Sequence, residues 1–161
     1  MAVGWKVNGL IVEGAVDPAR LPGRPRATGE TVDLDTVHRR PCDYGVAELD
    51  GWTFVADPAL RATFNDEAAQ ELTSTGRALA WVTNSVATLH GFAWYVDGKP
   101  LRRIMHAEGV PIDEFGDGLP EEIAAPAPLD EDYVFEMMQR LTGQAWGEAA
   151  AASYHVWTCT V

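Results

Sequence analysis

The sequence predicts an α+β fold in which two main helices cover one face of a largely antiparallel sheet. Apolar and polar residues alternate on both sides of Asp50-Gly51 and of Asp97-Gly98. Asp-Gly between such runs is typical of a two-residue β-hairpin turn. Two other segments repeat apolar residues at helical spacing. The 161 residues suit a single domain over 1–161 that can bury its own core.

The first quarter of the chain is predicted to hold a strand, a helical turn and a loop. Residues 3–12 are predicted to form an opening strand that Gly14 ends. Asp17 followed by Pro18 is typical of an N-cap and the first residue of a helical turn. Residues 21–31 are rich in Pro, Gly and Arg, which predicts an irregular loop. Residues 32–40 fit either a short helix or a strand.

The first hairpin is expected to join strands over residues 44–49 and 52–57. Its turn sets the cross-strand pairs that form an apolar face: Leu49 with Trp52 and Ala47 with Phe54. Glu48 and Thr53 then lie on the opposite face, which predicts a sheet with one buried side.

The first main helix is predicted to begin at Asp57-Pro58 and to end at Gly76. Its core-facing residues repeat at a spacing of four: Leu60, Phe64, Ala68 and Leu72. A strand over residues 78–83 follows. The second main helix is expected to begin after Asp130 as N-cap and to stop at Gly143, and residues 153–161 alternate as a final strand.

The second hairpin is expected over residues 88–96 and 101–106. Its turn would set three pairs: Trp94 with Leu101, Phe92 with Arg103 and His90 with Met105. In this register His90 and His106 point to opposite faces of the sheet. Because a metal site needs three or four convergent ligands, the four histidines (His38, His90, His106 and His155) predict no metal site.

Charge and cysteine content limit the function classes. The net charge is −12, and nucleic-acid binding requires a basic face, so no nucleic acid is expected as partner. Cys42 and Cys159 are the two cysteines, too few for a disulfide framework, and we expect reduced thiols, with a single bridge left open. The first residues lack a signal-peptide pattern and no 18-residue apolar run occurs; with the acidic charge and reduced thiols, we expect a cytoplasmic protein with no membrane contact.

Motifs for catalysis or cofactors are absent from the sequence. None of the three serines lies in Gly-x-Ser-x-Gly, and no P-loop or Gly-x-Gly-x-x-Gly occurs. A calcium loop starting at Asp113 would place Phe115 and Ala124 where carboxylates are required. We therefore expect no catalytic residue, cofactor or metal, although an enzyme is not excluded.

Acidic residues cluster between Ile104 and Gln139, where ten Asp and Glu occur without a Lys or Arg. This segment is either a solvated face or a docking surface for a basic protein. The candidate partner-binding residues are Asp113, Glu114, Asp117, Glu121, Glu122, Asp130, Glu131 and Asp132.

Five short segments resemble a known pattern: Gly51-Trp-Thr-Phe-Val, Leu72-Thr-Ser-Thr-Gly76-Arg, Gly91-Phe-Ala-Trp-Tyr-Val-Asp97-Gly98, Arg102–Arg103 and Gly116-Asp-Gly-Leu-Pro-Glu-Glu122. Over residues 45–125 the chain is similar to uncharacterised actinobacterial domain families that are regarded as candidate immunity components. The resemblance implies an immunity-like binding role and brings no catalytic residue with it.

Two other functions stay open. A small-molecule sensor or enzyme would use an aromatic pocket between sheet and helices, with these candidate lining residues: Trp52, Trp81, Trp94 and Trp157. A homodimer or larger oligomer would use an unpaired strand edge, either residues 154–161 or residues 101–106.

Overall fold

The computed structural model describes residues 6–40, 43–123 and 129–159. Its strands are β1 (Lys6–Glu13), β2 (Arg26–Asp33), β3 (Asp43–Leu49), β4 (Trp52–Ala56), β5 (Arg77–Asn84), β6 (Leu89–Val96), β7 (Lys99–Ala107), β8 (Val110–Phe115) and β9 (Ser153–Thr158). Its helices are α1 (Leu34–His38), α2 (Asp66–Leu72), α3 (Pro120–Ile123), α4 (Glu131–Thr142) and α5 (Trp146–Ala151). A 3₁₀ turn over Pro18–Arg20 follows Asp17 as predicted, with Asp17 as its N-cap.

All the described strands belong to one sheet in the order β2-β9-β3-β4-β1-β5-β6-β7-β8. Every neighbouring pair is antiparallel, so the predicted α+β class with an antiparallel sheet is confirmed. The prediction that residues 154–161 or 101–106 form an unpaired edge strand is wrong. β9 lies between β2 and β3, and β7 lies between β6 and β8, so the edge strands are β2 and β8.

Both faces of the central strands are buried, because successive residues of β1 enter two separate cores. Ile11 packs on the face that α4 covers with Met137 and Met138, here called the α4 face. Leu10 packs on the opposite face, where α2 contributes Ala68 and Ala69, here called the α2 face. Full burial of one such side chain stabilises a fold by roughly 1.5–3 kcal/mol.

This arrangement corrects two expectations. The two main helices do not share a face, since α4 and α2 cover opposite sides of the sheet. The hairpin of β3 and β4 has the predicted pairs, and Glu48 on its second side is exposed as expected. Thr53 on the same side is instead buried, at 1% exposed. Thr53 donates its hydroxyl hydrogen to the Gly14 carbonyl oxygen at 2.6 Å, which allows a polar side chain to be buried there.

Helix α2 begins nine residues later than Asp57, because the Asp57 carboxylate organises the intervening residues into turns. Asp57 Oδ2 accepts from the backbone N–H groups of Ala62 and Thr63 at 2.8 Å each. Asn65 then caps the helix by accepting from Ala68 N at 3.1 Å. Leu60, expected in the helix, lies in a turn and is 47% exposed. The helix ends at Thr73 and not at Gly76, which lies in the turn before β5.

Both edge strands lie where the sequence did not predict a strand. β2 begins within residues 21–31, for which an irregular loop is expected, and β8 follows Glu108 in a segment for which no strand is predicted. Nearly all residues of both strands are exposed, so neither has the apolar alternation that marks a strand with a buried face. Residues 32–40 complete β2 and then form α1, with Asp33 as N-cap. Asp130 and Gly143 bound α4 as predicted.

The second hairpin differs from its predicted register by one residue. Its turn is as expected, with positive φ at Asp97 and Gly98, and Tyr95 pairs with Pro100. Leu101 then bulges out of the ladder, so that three pairs change: Trp94 faces Arg102, Phe92 faces Ile104 and His90 faces His106. The expectation that His90 and His106 point to opposite faces is therefore wrong, because cross-strand partners share a face.

Candidate functional site

Strand β8 ends the sheet, and no described strand pairs with its outer side. Three of its large apolar side chains are exposed, by 59% for Val110, 58% for Ile112 and 44% for Phe115. The bulged Leu101 is 46% exposed. Unpaired strand edges and exposed apolar patches both mark interaction sites. We call Leu101 together with Val110–Phe115 the β8 edge.

Arg102 binds Glu114 and Glu122 of the acidic segment beside the β8 edge. Its side chain is 5% exposed and forms a bidentate pair with Glu122, Nε to Oε2 and Nη2 to Oε1, both at 2.9 Å. Nη2 also reaches Glu114 Oε1 at 3.1 Å, and Nη1 donates to the Gly116 carbonyl oxygen at 2.9 Å. The bond to Glu122 raises the pKa of Arg102. These contacts hold α3 and the end of β8 on the α4 face.

Gly116 is required where the chain leaves β8. Its φ is +80°, in the left-handed region that favours glycine. A Cβ at this position would also collide with the carbonyl oxygen of Leu101. The close approach lets the Gly116 carbonyl reach Arg102, so the bulge and the buried arginine depend on the same turn.

The structure places the eight predicted acidic residues in two groups. In the first group, Asp113 forms an ion pair with Arg103 at 2.7 Å, and Glu114 and Glu122 form ion pairs with Arg102. Asp130 in the same group caps α4 by accepting from Tyr133 N at 2.9 Å. Glu131 accepts from the Ser85 hydroxyl at 2.8 Å. Asp117, Glu121 and Asp132 make no ion pair with any described residue, and they leave this end of the sheet negatively charged.

The acidic residues of α3 and of the start of α4 lie near one another. Burial, and then the nearby charge of Glu122, raise the pKa of the Tyr133 hydroxyl in the first turn of α4. The Tyr133 ring stacks on Phe92 with centroids 6.4 Å apart. The structure thus brings the acidic segment to one end of the sheet, at β6, β7 and β8. Sequence reasoning found the acids but missed the apolar side chains of the β8 edge.

His90 and His106 face each other on the α4 face, the first buried and the second half-buried. His90 is 6% exposed, and its Nδ1 lies 2.8 Å from the Thr83 hydroxyl oxygen. The Nδ1 atom of His106 is buried without a hydrogen-bond partner among the described residues. Within residues 6–40, 43–123 and 129–159, no group of three or more His, Cys, Asp or Glu is arranged to hold a metal ion.

His38, which is half-buried, and His90, which is buried, predict that stability falls in mild acid. Burial lowers the pKa of His38 and of His90. His38 Nδ1 donates to the Leu34 carbonyl at 3.1 Å and its Nε2 accepts from Asn8 N at 3.3 Å, a pattern that needs a neutral ring. The unfolded chain protonates first, near pH 6.5, so stability present above that pH is lost as the pH falls below it.

Urea unfolding at pH 7.5 and pH 5.5 measures this loss. We expect the His38→Gln variant to show a smaller difference between the two pH values than the parent protein. His155→Gln changes an exposed histidine and should leave the difference unchanged. Equal pH dependence in the parent and in His38→Gln would contradict the assignment.

The four tryptophans proposed for an aromatic pocket separate into two environments. Trp52, Trp81 and Trp94 are 8%, 1% and 7% exposed and belong to the α4-face core. Trp157 instead lines a groove of about 710 Å³ on the α2 face, over β2, β9 and β3. This groove lies at the opposite end of the sheet from β8.

Comparisons with protein-family models, with curated proteins and with solved structures found no match for this chain. The resemblance of residues 45–125 to actinobacterial domain families stays a prediction. Of the described helices, none is both long enough and apolar enough to cross a membrane. Cys159 is a buried free thiol, whereas Cys42 lies outside the described residues.

Proposed function

We propose that this protein is a non-catalytic binding domain that receives a basic, extended segment of a partner protein along the β8 edge. One observation carries the proposal: an unpaired edge strand exposes Val110, Ile112 and Phe115 beside a surface rich in acidic residues. The residues that resemble immunity-like families support the same class of function, a protein that acts by binding a partner protein.

The backbone of β8 supports binding by strand addition. An edge strand presents alternate N–H and C=O groups to solvent, and an extended peptide can pair with them. Pro111 removes one donor, and an irregularity between Met105 and His106 disturbs the ladder to β7. Both features weaken indiscriminate edge pairing. Affinity then depends on the side chains of the incoming segment.

Charge supports a basic partner. The chain carries −12, and Asp117, Glu121 and Asp132 have no basic partner among the described residues. A surface of one sign accelerates the approach of a partner of the opposite sign, and the effect weakens as salt is added. A partner segment that alternates basic and apolar residues fits both the acidic surface and the apolar side chains.

Two synthetic peptides test this proposal, one alternating Lys with Val and the other alternating Glu with Val. We expect the Lys peptide alone to bind in fluorescence anisotropy, more weakly at higher salt. Amide hydrogen exchange should slow in β8 and stay unchanged in β2. Binding of both peptides alike, or protection at β2 in place of β8, would contradict the proposal.

Matched variants separate the contribution of charge from that of apolar contact. Asp117→Lys with Glu121→Lys should weaken binding of the Lys peptide about tenfold. Asp35→Lys with Glu148→Lys changes the net charge equally at exposed positions of α1 and α5 and should have a much smaller effect. Ile112→Ser should weaken binding about fivefold, whereas Val86→Ser, at a residue 91% exposed in the β5–β6 turn, should not.

The location we propose is cytoplasmic. The chain contains two cysteines, and Cys159 is a free thiol in the structure, which suits a reducing compartment. Fractionation of source cells tests this, and recovery of the protein outside the cytoplasm would contradict it.

A further inference from the structure

The groove over β2, β9 and β3 is a second concave surface that the proposed function does not use. Its volume of about 710 Å³ lies in the range of small-molecule sites. Val46 and Trp157 contribute to its floor, and Val16 and Pro18 line it from the loop that follows β1. Helix α2 lies toward the other end of the sheet, where Asp66 accepts from the Tyr95 hydroxyl of β6 at 2.8 Å, and none of its residues lines the groove.

Strand register places three functional side chains of the groove on one face. Val46 pairs with His155, and Tyr44 pairs with Trp157. Glu48 is two residues beyond Val46 on β3, so its side chain points to the same face as those of His155 and Trp157. All three residues line the groove. A carboxylate, an imidazole and an indole therefore surround an apolar floor.

The charges that line this groove are negative. Glu48 is exposed and makes no ion pair with a described residue. Glu30 also lines the groove. Arg40, which does not line it, donates to the two carboxylate oxygens of Glu30 at 2.8 and 3.0 Å. No described lining residue is a lysine or an arginine. An anionic ligand would have no lysine or arginine to pair with in this groove, whereas a cation could contact the carboxylate of Glu48 and the indole ring of Trp157.

We propose that the groove binds a small organic cation, an amine carried on an apolar or aromatic body. The ammonium group contacts Glu48 and the ring of Trp157, and the apolar body packs on Val46 and Val16. A bare metal ion does not fit this site, because the described residues offer no set of three His, Cys, Asp or Glu ligands. This site is independent of the β8 edge.

Phenethylamine and phenylpropionate are matched probes of opposite charge. We expect phenethylamine to bind in calorimetry and to shift backbone amide signals of β3 and β9 in two-dimensional NMR. Phenylpropionate should do neither. Equal binding of the two probes, no binding of phenethylamine, or shifts confined to other strands would overturn the proposal.

Two variants test the assigned contacts: Glu48 is exposed, whereas Trp157 is half-buried against the α2-face core. Glu48→Gln should weaken phenethylamine binding roughly tenfold, and Trp157→Leu should also weaken it. Glu67→Gln removes an exposed carboxylate of α2, outside the groove, and should leave binding unchanged. Unchanged affinity in Glu48→Gln would overturn the proposal. Asp117→Lys with Glu121→Lys should not alter amine binding, so failure at one site is distinguishable from failure at the other.

Discussion

Replacing Arg102 with methionine is expected to destabilise the protein by about 3 kcal/mol, because it leaves a buried carboxylate without its counter-charge. The Glu122 side chain is 11% exposed and has a bidentate contact with Arg102. Methionine restores much of the lost volume, so the effect reports mainly on charge and hydrogen bonding. Urea unfolding measures it.

Matched variants distinguish this buried cluster from an ordinary surface ion pair. Arg140→Met breaks a single contact, 2.7 Å to Glu136 on the surface of α4, and should cost less than about 1 kcal/mol. Combining Arg102→Met with Glu122→Leu should recover part of the lost stability, because no buried charge is then unpaired. If Arg102→Met is no more costly than Arg140→Met, the cluster does not hold α3 and β8 as we infer.

Replacing Asp57 with alanine is expected to cost about 3–5 kcal/mol, because several buried donors lose their acceptor together. Asp57 is 1% exposed. Its Oδ2 accepts from Ala62 N, Thr63 N and the Thr63 hydroxyl, all at 2.8 Å, and its Oδ1 accepts from Arg61 N at 3.1 Å. The turns before α2 should loosen, which urea unfolding and amide exchange at residues 61–63 would detect.

Two further variants make this prediction specific to the buried carboxylate. Asp57→Asn keeps the shape and one acceptor oxygen, so it should be less costly than the alanine change. Asp17→Ala removes an exposed cap that accepts from Ala19 N at 3.1 Å and should cost about 1 kcal/mol. Similar losses for Asp57→Ala and Asp17→Ala would show that the carboxylate is dispensable.

Sequence patterns predicted the elements whose signals are local. Asp50-Gly51 and Asp97-Gly98 determine their turns by backbone conformation alone, and Asp130 caps α4 from within its own turn. The start of α2 was misplaced because Asp57 and Pro58 are typical helix-start residues. The carboxylate of Asp57 instead binds N–H groups of a turn, a competition that spacing does not reveal.

The missing parts of the site depend on contacts between distant segments. The bulge at Leu101 shifts β7 by one residue and brings His90 opposite His106, and neither the Asp-Gly turn nor the alternation around it indicates a bulge. The pair of Arg102 with Glu122 spans 20 residues. The acidic charge could be predicted because composition alone shows it, whereas the β8 edge has no buried side to create a pattern.

The position of β9 has a consequence for biosynthesis. β9 is the only described strand that pairs with β2, and it also supplies the second neighbour of β3. The contact between Thr28 and Val156 joins residues 128 apart in the chain. Until the ribosome has released Ser153–Thr158, a nascent chain can assemble β1 and β3 to β8 but must leave β2 unattached. Such long-range closure slows folding, and until it occurs the sheet lacks β2 and β9 of its nine described strands.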